Sequence, residues 1–460
     1  MYIQVLGLGT AGVAAARLLK AQKHQVIALD ELDTPLLHQR QMDLETQGIE
    51  VRLHTPLRLQ AGVEQVVVSP GIRWDHPVLQ QARLQGIPVF GEAELAWQSL
   101  KHVPWVGITG TNGKTTTTAL IAAIFAAAGK RAPACGNIGL PLCQVALESL
   151  QTGITPEWII AELSSYQLEA SPTLASPAVS PKTLRIGVWT TLTPDHLERH
   201  GTLEAYAAIK SRLLDRVSHR VLNGDDRFLK QYLERWPQCL WTSCIHPEAP
   251  VHIQGDWIWI KGDPVAALGD FPQRLPGHHN LQNLLMAVAT AHWAGLKQEA
   301  IARALAEFPG VAHRLETVRK LNGVRFVNDS KATNYDASLV GLQSLPAPII
   351  LIAGGEPKQG NDQAWLQVIQ EKVVAVMLIG RAAALFAEQL QANGFTELHW
   401  AHTLDVAVAL AWHQAQVLLA TGTDTEVTVL LSPACASFDQ YANFEERGEH
   451  FRQCCQHLVR

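Results

Sequence analysis

The chain has 460 residues, 47% of them hydrophobic and 17% charged, with a formal net charge of −5. That length predicts roughly two to four domains with cores of their own. The acidic balance excludes a nucleic-acid partner, which would need basic residues to displace counterions, and no apolar run reaches the ~18 residues of a membrane span. Seven cysteines are scattered without zinc-ligand spacing, and Tyr2 opens a strand with no basic leader before it, so reduced thiols in the cytoplasm are expected.

Strand and helix signals alternate over the first hundred residues. Ile3 to Leu6 runs into Gly7-x-Gly9-x-x-Gly12, followed by a helix from Val13 to Lys20. A second strand, Gln25 to Leu29, ends at Asp30. This is the fingerprint of a nucleotide-like ligand at the crevice of an open sheet, with Asp30 placed for a ribose hydroxyl. A strand from Gln65 to Val68 opens on Ser69-Pro70-Gly71-Ile72, which local sequence alone reads as a plain Pro-Gly turn.

The middle of the chain carries its strongest signal. A strand from Val103 to Thr109 enters Gly110-Thr111-Asn112-Gly113-Lys114-Thr115-Thr116-Thr117, and a helix follows from Thr118 to Ala128. Turn amides and a helix N-terminus aim positive charge at a phosphate, Lys114 adds a full charge, and Thr115 offers a hydroxyl to Mg²⁺. The usual P-loop spacing would need glycine at 108, where Ile108 stands, so the turn is a shortened variant. The strand Trp158–Ala161 delivers Glu162, placed as a Walker-B-type metal acid, and Ile186–Thr191 leads to Asp195-His196. His196 and His200 have zinc-protease spacing, but Pro194 and Gly201 bracket too short a segment.

A helix from Thr202 to Val217 presents Tyr206, Leu213, Leu214 and Val217 as its apolar stripe, with Lys210 inside that stripe. Such a lysine either snorkels its amine to water or is held with a lowered pKa as a neutral amine. Asn280 and Asn283, ahead of a helix from Leu284, either cap that helix or present amides to a base, and local sequence favours capping. Phe308 to Glu316 reads as a charged hinge. Beyond it, strands at Val324–Asn328, Ile349–Ala353, Val373–Ile379 and Val427–Leu431 each end in polar residues. With Arg314, Lys331, Lys358 and Arg381, they are expected to form a basic sheet edge for an anionic substrate.

Gly110–Thr117, Glu162-Leu-Ser-Ser-Tyr-Gln-Leu168, Asp195-His196, Leu275-Pro-Gly-His-His-Asn280, His313-Arg314, Asn328-Asp-Ser-Lys-Ala-Thr-Asn334 and Leu431-Ser-Pro-Ala-Cys-Ala-Ser-Phe-Asp-Gln440 closely resemble the Mur ligase family, over nearly the whole chain. The resemblance implies an α/β fold of three domains. These are a Rossmann-like one at 1–100 for a UDP-substrate, a central P-loop ATPase-type parallel sheet at 101–309 for ATP, and a Rossmann-like one at 310–460 for an amino acid. It points to the family members that join D-glutamate to UDP-N-acetylmuramoyl-L-alanine (UDP-MurNAc-L-Ala) through an acyl phosphate, in peptidoglycan precursor synthesis.

The positions matching the family's UDP-substrate contacts are Leu8, Thr10, Asp30, Ser69, Gly71 and Asn137, while Leu32 stands where relatives often carry a basic residue near the uracil. For ATP they are Gly110, Thr111, Asn112, Gly113, Lys114, Thr115, Thr116, Asn280, Asn283, Arg314 and Asp329, with two Mg²⁺ ions on Thr115, Glu162, His196 and a carbamylated Lys210. Lys114, His196 and Lys210 are the implied catalytic residues, and Thr333, Lys358, Ser437 and Phe444 the D-glutamate contacts. The reading further implies a monomer acting on small molecules without membrane insertion, and closure about Pro309-Gly310. Its rivals are a family ligase for another amino acid, including folylpolyglutamate-type enzymes, a non-catalytic nucleotide-binding regulator, which would not need Glu162, His196 and Lys210 together, and an NAD-dependent oxidoreductase resting on Gly7-x-Gly9-x-x-Gly12. In the last the P-loop has no role.

Overall fold

The computed structural model describes every residue except 173, 175–183, 270, 272–274, 358–361, 423–425 and 459–460. Its first sheet is parallel throughout. It comprises β1 (Tyr2–Leu6), β2 (Gln25–Leu29), β3 (Glu50–Arg52), β4 (Gln65–Val68) and β5 (Val89–Gly91), in the order β3-β2-β1-β4-β5.

The second sheet contains β6 (Trp105–Thr109), β7 (Ala134–Gly136), β8 (Ile159–Glu162), β9 (Leu184–Trp189), β10 (His219–Asn223), β11 (Leu240–Ser243), β12 (Val251–Gln254), β13 (Trp257–Ile260) and β14 (Asp263–Ala267). Their order is β14-β13-β12-β11-β10-β9-β6-β8-β7. The expected parallel sheet therefore gains an antiparallel ribbon, in which β13 pairs with β12 and β14. The alternating exposure along Trp257-Ile258-Trp259-Ile260 is the pattern of such a strand, whereas fully buried parallel strands are continuous apolar runs.

The third sheet runs β15-β16-β20-β17-β18-β19, with β15 (Glu316–Leu321), β16 (Val324–Asn328), β17 (Ile349–Gly354), β18 (Val373–Ile379), β19 (Leu398–His402) and β20 (Val427–Leu431). Only β15 is antiparallel to its neighbour. Parallel strands place their C-terminal ends along one edge, so the polar residues after β16, β17, β18 and β20 gather there.

Two compact units emerge: Met1–Gly269 with Gln282–Phe308, and Asp270–Leu281 with Pro309–Arg460. The first holds two sheets because one hydrophobic core spans both, from Ile3 and Ala15 through Trp97 and Trp105 to Leu147 and Trp189. The helices Thr10–Ala21 and Glu92–Leu100 pack on Leu142–Thr152, and the rings of Trp97 and Trp105 meet edge-on at 5.2 Å. Among the described residues, no helix is long and apolar enough to cross a membrane.

Two helices start earlier than local sequence indicates. The helix after β6 spans Lys114–Ala127 and a later one spans His278–Trp293. Asn280 and Asn283 therefore lie inside a helix, and the capping reading fails.

Candidate active site

The nucleotide loop is held from both sides. Gly113 is the N-cap of the helix Lys114–Ala127 at φ 82°, a conformation that a side chain would strain, and a Cβ there would lie 2.5 Å from Asn283 Oδ1. Asn283 thus packs on the loop, and its Oδ1 also accepts from Thr117 Oγ1 at 3.2 Å. On the other side, the segment after β9 clamps the turn. Thr111 N donates to Thr191 O at 2.9 Å, Asn112 N to Thr191 Oγ1 at 2.8 Å, and Thr111 Oγ1 to Thr193 O at 3.0 Å. Lys114 Nζ folds back onto the carbonyls of Gly110 at 2.9 Å and Thr111 at 2.7 Å. Thr115 and Thr116 are buried beneath.

Lys210 does not snorkel. The helix Leu203–Asp215, capped by Thr202, lies close on β6 and β9 because Gly107 and Gly187 leave room for it. A Cβ at those positions would come within 2.8 Å of Leu213 and 2.9 Å of Leu214. Lys210 is consequently 1% exposed, with Nζ 2.8 Å from the Gly110 carbonyl and 4.4 Å from the ring centre of Tyr206. Burial pushes its pKa well below the ordinary lysine value, and the Lys114 charge pushes the same way against Asp195 and Glu162. The amine is therefore neutral far more readily than a surface lysine. Lys114, Lys210, Asp195 and Glu162 share one electrostatic neighbourhood.

Glu162 ends β8 beside β6 and is 1% exposed, and its Oε1 accepts from Asn137 Nδ2 at 3.0 Å. Asn137, expected near the UDP-substrate, thus stands beside the expected metal acid. His196 caps the short helix Leu197–His200 at φ 55°. Its Nδ1 lies 2.9 Å from the Tyr166 hydroxyl and its Nε2 3.5 Å from Asp195 Oδ2. Tilted ring contacts connect it towards Lys210: Tyr166 with His196 at 5.0 Å and with His200 at 5.6 Å, then His200 with Tyr206 at 5.3 Å. Burial lowers the His200 pKa to about 4, so the ring is neutral when its Nε2 meets Ser165 Oγ at 2.9 Å.

A buried carboxylate, a hydroxyl at the loop, an imidazole and a lysine poised as a neutral amine make a donor set that fits Mg²⁺ and carbamylation. Sequence reasoning missed Thr190–Thr193, Tyr166, Tyr206 and His200. The polar strand end after Trp189 was the available signal for the first of these.

The first glycine turn is built differently. Gly7 sits at φ 84°, and a Cβ on Gly12 would lie 1.8 Å from the Gly7 carbonyl, so the helix Thr10–Ala21 packs hard on the turn. Asp30 accepts from Leu8 N at 2.7 Å and Leu32 N at 3.0 Å, while Arg40 donates to Leu8 O at 2.6 Å. Asp30 thus holds the turn with Oδ2 and its own loop with Oδ1. Ser69 backs it: its amide donates to Leu6 O at 2.8 Å, and its hydroxyl lies 3.6 Å from where a Cβ on Gly9 would be. Among the described residues, nothing crowds Gly71.

In the second unit, Asp329 is buried after β16, accepting from Ser432 Oγ at 2.8 Å and Leu315 N at 3.3 Å. Burial raises its pKa to about 7 against the pull of Arg314, and burial, helped by the Arg314 charge, depresses His279 to about 3. Asn280, buried, donates from Nδ2 to Pro276 O at 2.7 Å. Ser437 is buried at the edge of the third sheet and Thr333 half-buried. Phe444 starts the last helix, its carbonyl accepting from Ser330 Oγ at 2.8 Å and its ring 4.9 Å from Lys331 Nζ.

Arg447, which sequence reasoning passed over, is buried and knits this edge, donating to Ser330 Oγ and to the carbonyls of Ser330, Cys435 and Ala436. The expected basic edge is trimmed at Arg381, an exposed side chain paired with Glu356 at 3.1 Å. Lys358 lies outside the described residues.

Known proteins match this arrangement along its length. Models of the MurD-like Mur ligase N-terminal domain, the Mur ligase middle domain and the Mur ligase glutamate ligase domain cover residues 1–91, 108–291 and 313–435. The UDP-N-acetylmuramoylalanine–D-glutamate ligase of Synechococcus sp. (strain JA-3-3Ab) is 58% identical over 465 residues, covering 99% of this chain and 98% of that one. The enzyme of the same name from Thermosynechococcus vestitus is 51% identical, covering 99% of both.

Among solved structures, UDP-N-acetylmuramate-alanine ligase MurC from Thermotoga maritima shares the fold at a TM-score of 0.62 and 17% identity, covering 99% of both chains. MurF ligase from the same organism, in complex with ADP, gives 0.58 and 14%, covering 95% of this chain and 97% of that one. With its three regions matched in order and more than half its positions identical to a full-length relative, the chain belongs to the Mur ligase family.

Proposed function

We propose that this protein is the ATP-dependent ligase that joins D-glutamate to UDP-MurNAc-L-Ala. The reading is carried by Lys210, a buried amine held on the nucleotide-loop carbonyl of Gly110 in the field of Lys114, Asp195 and Glu162. No simple phosphate-binding module needs that group. The names of its full-length relatives support the same substrates.

The first glycine turn, with Leu8, Thr10, Asp30, Ser69 and Gly71, holds the uridine end of the substrate. Its L-alanyl carboxylate attacks the γ-phosphate of ATP, forming an acyl phosphate and releasing ADP. The amides from Gly113 to Thr116 and Lys114 hold the phosphates and offset the repulsion between the two anions. Thr115, Glu162, His196 and carbamylated Lys210 would hold Mg²⁺, which when bound neutralises charge on the transferring phosphoryl group. Asn280, Asn283, Arg314 and Asp329 serve the nucleotide. The amine of D-glutamate then attacks the acyl carbon, phosphate leaves, and an amide remains. Thr333, Lys358, Ser437 and the backbone at Phe444 anchor the two carboxylates of D-glutamate, since a dicarboxylate needs two separated anchors.

The test is phosphate release from Mg²⁺-ATP with UDP-MurNAc-L-Ala and a panel of amino acids. D-glutamate is expected to support it. Release with L-glutamate or a diamino acid and none with D-glutamate would sink the assignment. The same reading makes the protein a cytoplasmic monomer acting on small molecules, which light scattering of the purified chain tests for its mass.

A further inference from the structure

One side chain of the first unit ties the Ser69–Ile72 turn to the segment that carries His196. Arg199 lies in the short helix behind His196, and its side chain is 9% exposed. Nη1 donates to the Pro70 carbonyl at 3.3 Å and Nη2 to the Ile72 carbonyl at 3.4 Å. Nη2 also meets Glu169 Oε2 at 3.2 Å. The guanidinium carbon sits 3.9 Å over the ring of Tyr166, whose hydroxyl holds His196 Nδ1 at 2.9 Å.

A guanidinium presents its N–H groups in one rigid plane, so partners met simultaneously are fixed relative to one another. Glu169 balances the charge, which leaves Arg199 a geometric role in place of anion binding. In a trans peptide the N–H points opposite the C=O, so gripping the Pro70 carbonyl also sets the direction of the Gly71 amide. The face of the same group fixes the ring that orients His196. The turn that local sequence alone gave no role is therefore tied to the segment that carries His196.

We infer that Arg199 is a positioning residue, locking the Ser69–Ile72 turn to His196 through Tyr166 so that the sugar-nucleotide held by the turn arrives in register with the nucleotide loop. This rests on the functional reading above, which gives Ser69 and Gly71 to the substrate.

The experiment compares full-length wild type, Arg199→Gln, Arg199→Lys and Tyr166→Phe, measuring KM for UDP-MurNAc-L-Ala, kcat, and ADP affinity by calorimetry. Arg199→Gln should raise that KM about tenfold while ADP affinity stays within about twofold, since charge-assisted contacts to the turn are lost and the nucleotide loop is untouched. Arg199→Lys keeps the charge but not the fork and should recover less than about half of the loss. Tyr166→Phe keeps the ring under the guanidinium and drops the hydroxyl, so it should lower kcat about tenfold at unchanged KM.

An unchanged KM in Arg199→Gln, an equal loss of ADP affinity, or full recovery by lysine would overturn the inference while the wild type ligates normally. A wild type that neither binds nor turns over UDP-MurNAc-L-Ala would overturn the functional reading, and this inference with it.

Discussion

The two glycine turns of the first unit share a plan, strand to turn to helix, yet their chemistry diverges in who occupies the backbone. At the first turn a carboxylate, Asp30, takes the amides of Leu8 and Leu32, and Arg40 takes the Leu8 carbonyl. At the second, the Thr191 hydroxyl and the carbonyls of Thr191 and Thr193 pin the turn, and two lysines converge on the Gly110 carbonyl. Glycine spacing alone therefore says that a backbone can approach a ligand closely. On the proposed function, the charges brought to the turn decide whether it grips a ligand's body or handles a migrating phosphoryl group.

The sharpest way to break this contrast is to remove the second turn's two lysines. Lys114→Ala should cut kcat by about 10³-fold or more, because the γ-phosphate loses its one charge-bearing side chain on the loop. Steady-state phosphate release measures it, and an effect confined to KM for the amino acid would refute the assignment. Lys210→Ala should cost about 10²-fold or more and be partly restored by short carboxylates, which stand in for the anionic form of the side chain. A loss without rescue, at unchanged metal affinity, would make Lys210 a structural residue.

At the first turn the expected effect is smaller. Asp30→Asn sets an amide donor against the Leu8 or Leu32 amide and removes the charge beside Arg40. KM for UDP-MurNAc-L-Ala should rise about tenfold with KM for ATP unchanged. An equal rise in both would mean that the two turns do not divide the work.

Much of this contrast was legible in the sequence. Gly110 to Thr117, Glu162, Asp195-His196 and the strands feeding them are contiguous motifs, where local chemistry and backbone geometry coincide. Lys210 was legible as an anomaly, an amine within an apolar stripe, but its burial depends on Gly107 and Gly187 lying opposite the helix, which no local pattern records. The early start of the helix at His278 was obscured because histidine and asparagine are indifferent helix formers, although Pro276-Gly277 marked the break. Tyr166, Arg199 and Arg447 act through partners distant in sequence, so residue type alone could not single them out.

The smallest effect concerns the join between the two sheets that carry the turns. Glu92, at the start of the helix Glu92–Leu100, is fully buried and accepts from Cys143 N at 2.6 Å, while its Oε2 has no hydrogen-bond partner among the described residues. Burial raises its pKa to about 7. The folded state thus holds a proton that the unfolded chain gives up near the ordinary carboxylate value of about 4.5. Its contribution to stability is full below that value and is lost as pH rises through about 7. Glu92→Gln keeps the acceptor for Cys143 and cannot ionise. The variant should match wild type near pH 5 and exceed it near pH 8 by about 1–3 kcal/mol, read as a higher Tm, with kcat unchanged at either pH. A Tm difference independent of pH would show that Glu92 does not titrate in the join. A fall in kcat at constant Tm would show that the join reaches the turns and does more than hold their sheets together.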